Sequence, residues 1–293
     1  MYAEFDLVIP AGLDEALAVL AADRAANDGT SGTLPLAGGT NMIVDLRARR
    51  IAPNRLVSLA KLGSLRGIRI DDDRLVMGGG TTISDILHDP RLAEHAPCLV
   101  EQARVFGGQM VRNTATVAGN ICSGSPAADT VPALMALDAA VELTSKEGAR
   151  VVPLSAFFLG VKEDVRRSDE LVTEVSWDLP PANSTNLFYK LARRRGDAIT
   201  VVGIAVAMTV EAGKCSAVRI ALGAVAPVVK RAAAAEAMLA GNALTPELID
   251  AAAGQAAEEA DPIDDLRASA EYRRHGVKVL TRRLVAEAWQ RLS

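Results

Sequence analysis

LPLAGGTN (residues 34–41) and VRNTATVAGNICSGSPAADTVPALMAL (residues 111–137) are the two stretches on which the reading of this chain turns. In the first, a short apolar strand runs into a double-glycine turn, Ala37-Gly38-Gly39-Thr40-Asn41. Glycines let the backbone turn sharply and bring successive N–H groups to face one point. Such a nest binds an anionic phosphate without any lysine. Thr40 and Asn41 add side-chain donors. In the second stretch, Thr116-Val117-Ala118-Gly119-Asn120 again combines small residues with donor side chains, and SPAAD follows at 125–129. Asp129 admits two readings: an acceptor for a ribose or ring N–H, and an N-cap for a helix over Thr130–Leu137. Taken singly, the double-glycine turn is more often a plain loop than a binding site, and one small-residue turn is weak evidence. Two of them, about 80 residues apart and both rich in Gly, Thr and Asn, suit a ligand with two phosphates. Neither GxGxxG nor GxxxxGK(S/T) occurs, so Rossmann and P-loop readings lack their fingerprints.

Outward from these turns, hydrophobic periodicity divides the chain into three blocks. In the first, Asp6–Ile9 and Leu56–Leu59 read as strands, Leu13–Ala26 has helical spacing, and NDGTSG (27–32) is turn-rich. The second opens near Leu65. Gly67–Ile70 and Leu75–Met77 flank the acidic turn Asp71–Asp73 as a hairpin. GGGTT (78–82) then leads into helical patterns at Ile83–His88 and Leu92–Phe106, closed by Gly107-Gly108. Val141–Thr144 and Val151–Pro153 form a second hairpin, and Ser155–Leu159 a short turn. The third block follows the linker-like PPANSTN (180–186). It has strands at Leu187–Leu191, Val201–Val210 and Ala217–Val225, then helices at Ala232–Leu239, from Thr245-Pro246, and at Ser269–Leu292. The expected domains are 1–60, 61–179 and 187–293, the last a three-stranded antiparallel sheet with helices.

Composition narrows the function classes. The 293 residues carry 32 basic and 36 acidic side chains, a net charge of −4, which argues against binding nucleic acid by phosphate neutralisation. The longest apolar stretches, such as Val201–Val210, fall far short of the ~20 residues of a membrane span. MYAEFDLVIPAG has acids where a secretory signal has a basic region, so none is expected. Cys98, Cys122 and Cys215 are far apart and form no CxxC pair; a metal site is not expected, and a cytoplasmic location fits. Alanine fills 52 positions, so helices are expected to pack closely through small side chains.

Other clusters carry less. Lys190 precedes Arg193-Arg194-Arg195-Gly196-Asp197, which suits an anionic ligand, a partner subunit or a solvated strand end. His88, His95 and His275 show no metal-ligand grouping, and Asp261–Asp265 reads as a helix-breaking loop before a cation site. No GxSxG elbow or nucleophile context is present, so no catalytic residue is assigned.

LAGGTNMIVDLRAR, VRNTATVAGNICSGSPAADTVPALMALDA, YKLARRRGDAITVVGIAVAM and IALGAVAP, in this order and spacing, resemble the FAD-binding medium subunit of the molybdenum hydroxylases. That family is the xanthine dehydrogenase and carbon monoxide dehydrogenase type, and the match covers essentially the whole chain. The resemblance implies an α+β fold. A two-subdomain α/β FAD-binding domain, of the vanillyl-alcohol oxidase and p-cresol methylhydroxylase type, would precede the C-terminal sheet-and-helix domain.

By the same resemblance, Leu36, Ala37, Gly38, Gly39, Thr40, Asn41 and Met42 form a first pyrophosphate loop, and Thr116, Val117, Ala118, Gly119 and Asn120 a second. Asp129 binds the ribose or a neighbouring polar group, Phe106 lies beside the nucleotide, Leu171 touches the flavin, and Lys190 lies near the isoalloxazine ring. Gly80 and Thr82 belong to a loop near the pyrophosphate. Ala118 stands where many relatives have glycine, and only a small adjustment is expected. The implied activity is electron transfer: [2Fe-2S] clusters on a small iron–sulfur subunit pass electrons to FAD here, after a large molybdopterin subunit has oxidised the substrate. A dimer of heterotrimers is the implied assembly. The competing readings are a stand-alone flavin oxidoreductase of the same fold and a non-catalytic nucleotide-binding scaffold.

Overall fold

The computed structural model describes residues 4–23, 30–194 and 196–293. Strands β1 (Asp6–Val8), β2 (Thr33–Leu36) and β3 (Arg55–Ser58) form a parallel sheet in the order β1-β3-β2. Helix α1 (Leu13–Ala22) connects the first pair in sequence and α2 (Met42–Arg47) the second. Parallel strands require such crossovers. Helix α1 buries Ala16, Leu17 and Leu20, one helical face, against Val57. It ends at Ala22; the expected continuation over 24–26, and 27–29 of the predicted turn, lie outside the described residues.

The second sheet is antiparallel. Strands β4 (Ile68–Asp71) and β5 (Arg74–Gly78) form the predicted hairpin. Six short helices follow: α3 (Ile83–His88), α4 (Pro90–His95), α5 (Pro97–Arg104), α6 (Gln109–Arg112), α7 (Val117–Cys122) and α8 (Thr130–Ala136). The single helix expected over Leu92–Phe106 is split between α4 and α5. Pro97 disfavours helical backbone at the residue before it, and Ala96 takes φ −139°, ψ 53°. Strands β6 (Ala140–Ser145) and β7 (Gly148–Pro153) make the second hairpin, and β8 (Phe158–Gly160) with β9 (Glu163–Asp164) a small excursion. Strand β10 (Leu171–Asp178), for which no strand is predicted, lies in the centre, giving the order β4-β5-β10-β6-β7. It pairs with β5 and β6, so this sheet closes only when its last strand inserts.

In the third sheet β11 (Ser184–Ala192), β12 (Thr200–Glu211) and β13 (Lys214–Gly223) run antiparallel in sequence order. A fourth strand of two residues, β14 (Lys230–Arg231), pairs with β13, so the sheet has four strands where three are expected. The extra pairing lies beyond Pro227, too short to carry a periodic signal. Helices α9 (Ala233–Leu239), α10 (Pro246–Glu258) and α11 (Ala270–Leu292) cover one face. Strand alternation splits the burial. Leu187, Ile204 and Ile220 pack under these helices, whereas Phe188, Ala205 and Ala221 join the core of the second sheet.

Strand β11 also clasps α5. Near the helix start, the Asn186 carboxamide accepts from Cys98 N–H at 2.9 Å and donates to His95 C=O at 3.1 Å. Past the helix end, Lys190 Nζ donates to Val105 C=O at 3.3 Å. Four residues of strand span about 13 Å and eight of helix about 12 Å, so the two side chains are spaced to reach both ends. Among the described residues no helix is long and apolar enough to cross a membrane.

Candidate functional site

The chain leaves β2 at Leu36, where Leu36 C=O accepts from Leu59 N–H at 2.9 Å, and turns through Ala37–Asn41 into α2. Gly39 takes φ +72°, the left-handed region that L side chains avoid. The N–H groups of Gly38, Gly39, Thr40, Asn41 and Met42 meet no acceptor among the described residues. Five consecutive free donors at a half-exposed turn suit a multiply charged anion.

This turn rests on the second candidate stretch. A Cβ built on Gly38 would lie 1.7 Å from Thr114 O and 2.5 Å from Thr114 C, so the two backbones are in contact there. A Cβ on Gly119 would lie 3.9 Å from Ala37 Cβ. Residues 37–38 and 114–119, distant in sequence, are therefore packed against one another.

The second stretch differs from the first in how its donors are used. Val117 N–H donates to Thr81 O at 3.0 Å and Ala118 N–H to Gly79 O at 3.0 Å. Gly119 N–H donates to Thr116 Oγ1 at 3.1 Å, and Asn120 N–H to Thr116 O at 2.9 Å. Thr116 thus caps α7, and these four N–H groups are spent within the chain. Of the two turns, the first alone presents a row of unpaired backbone donors among the described residues. The second forms a wall, locked to GGGTT by those two bonds and by Ile83 N–H on Ala115 O at 3.0 Å.

Gly80 and Thr82 are likewise structural. Gly80 N–H donates to Leu65 O at 2.7 Å. Thr82 caps α3 in a reciprocal box with Asp85: Asp85 N–H donates to Thr82 Oγ1 at 3.1 Å, and Thr82 N–H to Asp85 Oδ2 at 3.0 Å. Replacing Thr82 by alanine is expected to cost about 1 kcal/mol, read from urea unfolding; an unchanged midpoint would dismiss the box. Ala118 fits without distortion, because the position facing its methyl group is Gly79, where a Cβ would come within 3.1 Å of Ala118 Cβ.

Of the remaining expected contacts, Phe106 is buried in the second core, with its carbonyl accepting from Arg112 Nη1 at 3.0 Å. Leu171 is buried with Leu65, Leu17 and Val57 between the first two sheets. Asp129 occupies the N-cap position of α8, but its carboxylate makes no cap bond. Asn120 Oδ1 caps that helix instead, accepting from Thr130 N–H at 3.1 Å and Thr130 Oγ1 at 2.6 Å. Asp129 faces the third sheet: Lys190 Nζ donates to its Oδ2 at 2.6 Å, and Thr200 Oγ1 donates to its Oδ1. The Lys190 side chain is only 3% exposed, so its charge is already paired inside the protein. Burial pushes the Asp129 carboxyl upward, opposed by the Lys190 ammonium and the Thr200 hydroxyl. Thr114, Gly79, Thr130 and Thr200 escape the sequence reading, since what they contact is set by tertiary structure.

Elsewhere the chemistry is spent. Burial pushes the Cys215 thiol up to about 11 and raises Cys98 and Cys122 also, so none is a ready thiolate. Asp265 is held by Arg267 and Arg273, each at 2.8 Å. Among the described residues no group of three or more His, Cys, Asp or Glu is placed to hold a metal.

Two family models match in tandem: the FAD binding domain in molybdopterin dehydrogenase over residues 3–180, and the CO dehydrogenase flavoprotein C-terminal domain over 187–288. The carbon monoxide dehydrogenase medium chain of Afipia carboxidovorans is 35% identical over 255 residues, covering 87% of this chain and 88% of that one. The xanthine dehydrogenase FAD-binding subunit of Escherichia coli O157:H7 is 30% identical over 257 residues, covering 86% and 87%. A solved carbon monoxide dehydrogenase structure from Hydrogenophaga pseudoflava superposes with a TM-score of 0.94 at 32% identity, covering 100% of both chains.

Proposed function

This chain belongs to the FAD-binding medium subunits of the molybdenum hydroxylases, and from that premise we propose how it holds its cofactor and whom it serves. It is an FAD-binding oxidoreductase subunit of a multi-subunit enzyme. The observation that carries the site assignment is the row of free N–H groups from Gly38 to Met42, seated against Thr114–Asn120. The FAD diphosphate would lie along that row, where donors offset the cost of desolvating its charge. Leu36 and Ala37 lead into the row, and Thr116–Asn120 wall the cleft. Gly80 and Thr82 support that wall from behind, with Phe106 and Leu171 as apolar backing. Residues 1–60 and 61–179 would be the two flavin subdomains and 187–293 the C-terminal domain.

FAD supplies redox chemistry between one-electron and two-electron carriers, while the chain positions it and tunes its surroundings. Electrons would arrive from [2Fe-2S] clusters on a small partner subunit, downstream of a large molybdopterin subunit, and leave for an external acceptor. A dimer of heterotrimers in the cytoplasm is the assembly we infer; the three free cysteines suit a reducing compartment. The purified protein is expected to be yellow and to release FAD on denaturation. Recovery of FMN alone, or of a colourless protein that takes up no FAD, would overturn the reading.

A further inference from the structure

Two short helices flank the contact between Gly38 and Thr114, and both turn apolar side chains to solvent. Helix α2 follows the free N–H row and buries only Leu46, leaving Ile43 exposed and Val44 55% exposed. Ile43 lies over the turn: a Cβ on Gly39 would come within 3.5 Å of its Cγ1. On the other side, α6 buries none of its four residues, and Met110 is 85% exposed. Hydrogen bonds hold α6 where packing does not. Arg112 Nη1 donates to Phe106 O at 3.0 Å and to Gly107 O at 3.1 Å, and Thr114 Oγ1 donates to Met110 O at 3.2 Å. The charge around these side chains has one sign. Residues 42–50 and 104–114 carry Arg47, Arg49, Arg50, Arg104 and Arg112 against one carboxylate, Asp45, in a chain whose net charge is −4. Asp45 pairs with Arg50 at 3.2 Å, so the excess is basic.

We propose that α2 and α6 form the docking surface for the small iron–sulfur subunit, which meets it with an apolar spot ringed by carboxylates. Exposed apolar side chains rimmed by charge mark association surfaces, and methionine and arginine are enriched in them. A second copy of this chain does not fit. Across a two-fold axis it would bring the same arginines face to face, and like charges repel. This inference rests on the FAD reading above and adds the side from which electrons enter. The turn that would seat the diphosphate runs directly into α2, so a partner docked there stands beside the cofactor. Another exposed apolar pair, Ile263 and Leu266, lies far along the chain on the loop before α11, among Asp261, Asp264 and Asp265, and lacks that basic rim.

The tagged full chain, co-expressed with both partner subunits and isolated as the complex, tests it through the iron-to-flavin ratio over a series of salt concentrations. Met110→Glu is expected to weaken the hold on the small subunit about tenfold or more. FAD per chain and the melting temperature should not change, since that side chain is almost wholly in water. Arg49→Glu is expected to weaken the hold about threefold and to flatten its salt dependence. Leu266→Glu, at a site 82% exposed on the C-terminal domain, is the control for a new surface charge and should keep the small subunit. Wild-type iron content in Met110→Glu across the salt series overturns the proposal. So does equal loss of iron in Leu266→Glu. Loss of the large subunit with the small one retained also overturns it, by giving the surface to another occupant. Should Met110→Glu fail to accumulate, Val44→Glu with unchanged iron content is itself the overturning result. A wild-type complex without FAD sinks the functional reading, whereas a flavin-loaded one in which Met110→Glu keeps its iron sinks this inference alone.

Discussion

Replacing Gly38 by alanine is expected to release FAD from the protein. Gly38 lies outside the left-handed region, so its backbone would accept an L side chain; only space forbids one. The added carbon would sit 1.7 Å from Thr114 O, a backbone atom anchored by the bonds of Ala115 and Thr114 N–H to Val111 O at 2.7 and 3.1 Å. The first turn must move away, taking the free N–H row with it. Overpacking of this kind costs about 1–3 kcal/mol in stability, and the separation of donors from wall removes the diphosphate seat. Gly39 provides the contrast. Its φ of +72° imposes about 1–2 kcal/mol of strain on alanine, but the nearest atoms are side-chain carbons of Leu36 and Ile43 at 3.3 and 3.5 Å, which can yield. Gly39→Ala should therefore retain more flavin than Gly38→Ala. The ratio of flavin to protein absorbance checks both, and a Gly38→Ala protein with full flavin content would refute the two-backbone contact.

Arg273→Met should be the most damaging single change to the C-terminal half. Arg273 on α11 is 3% exposed. Its Nη1 donates to Val201 O and Ala224 O, both at 2.8 Å, and its Nη2 to Asp265 Oδ1 at 2.8 Å. One guanidinium thus joins the start of β12, the chain after β13 and the segment before α11. Methionine fills similar space but leaves two carbonyls and a carboxylate short of a donor, for an expected loss of about 3–5 kcal/mol. Lysine keeps the charge without the planar fork and should recover part of it. Burial opposes ionisation of Asp265, but the N–H groups of Arg267 and Ala268 and the two guanidinium groups outweigh it, holding the carboxyl well below the usual range. A carboxylate depressed in the folded state stabilises above its unfolded pKa and loses that contribution as pH falls through the folded value. The deficit of Arg273→Met should hence be full at pH 7 and shrink below about pH 4. A urea midpoint that moves by less than the equivalent of about 1 kcal/mol at pH 7 would reject this account.

Local patterns made much of this legible. The double-glycine turn, the hairpins and the three long strands of the last sheet follow from periodicity and turn residues, and lie where read. What escaped is long-range. LVTEVSWD alternates from Thr173 onward, but the charged run before it masks the start. Its partners β5 and β6 are remote in sequence, and a register shift between Val172 and Glu174 breaks the pattern. The small residues of 116–120 signal close backbone approach without saying to what, and much of the answer is the chain itself. The Lys190–Asp129 pair joins positions 61 residues apart on separate elements, which no local rule connects.

The clasp of β11 on α5 also bears on the order of assembly. Asn186 and Lys190 follow the groups they satisfy by 88 and 85 residues. During synthesis the helix emerges with its ends bare, and the flavin half waits, incompletely closed, for polypeptide from beyond the linker. Severing the chain at 180–186 would expose those same ends, so the boundary that looks natural for dissection separates a helix from its own termini.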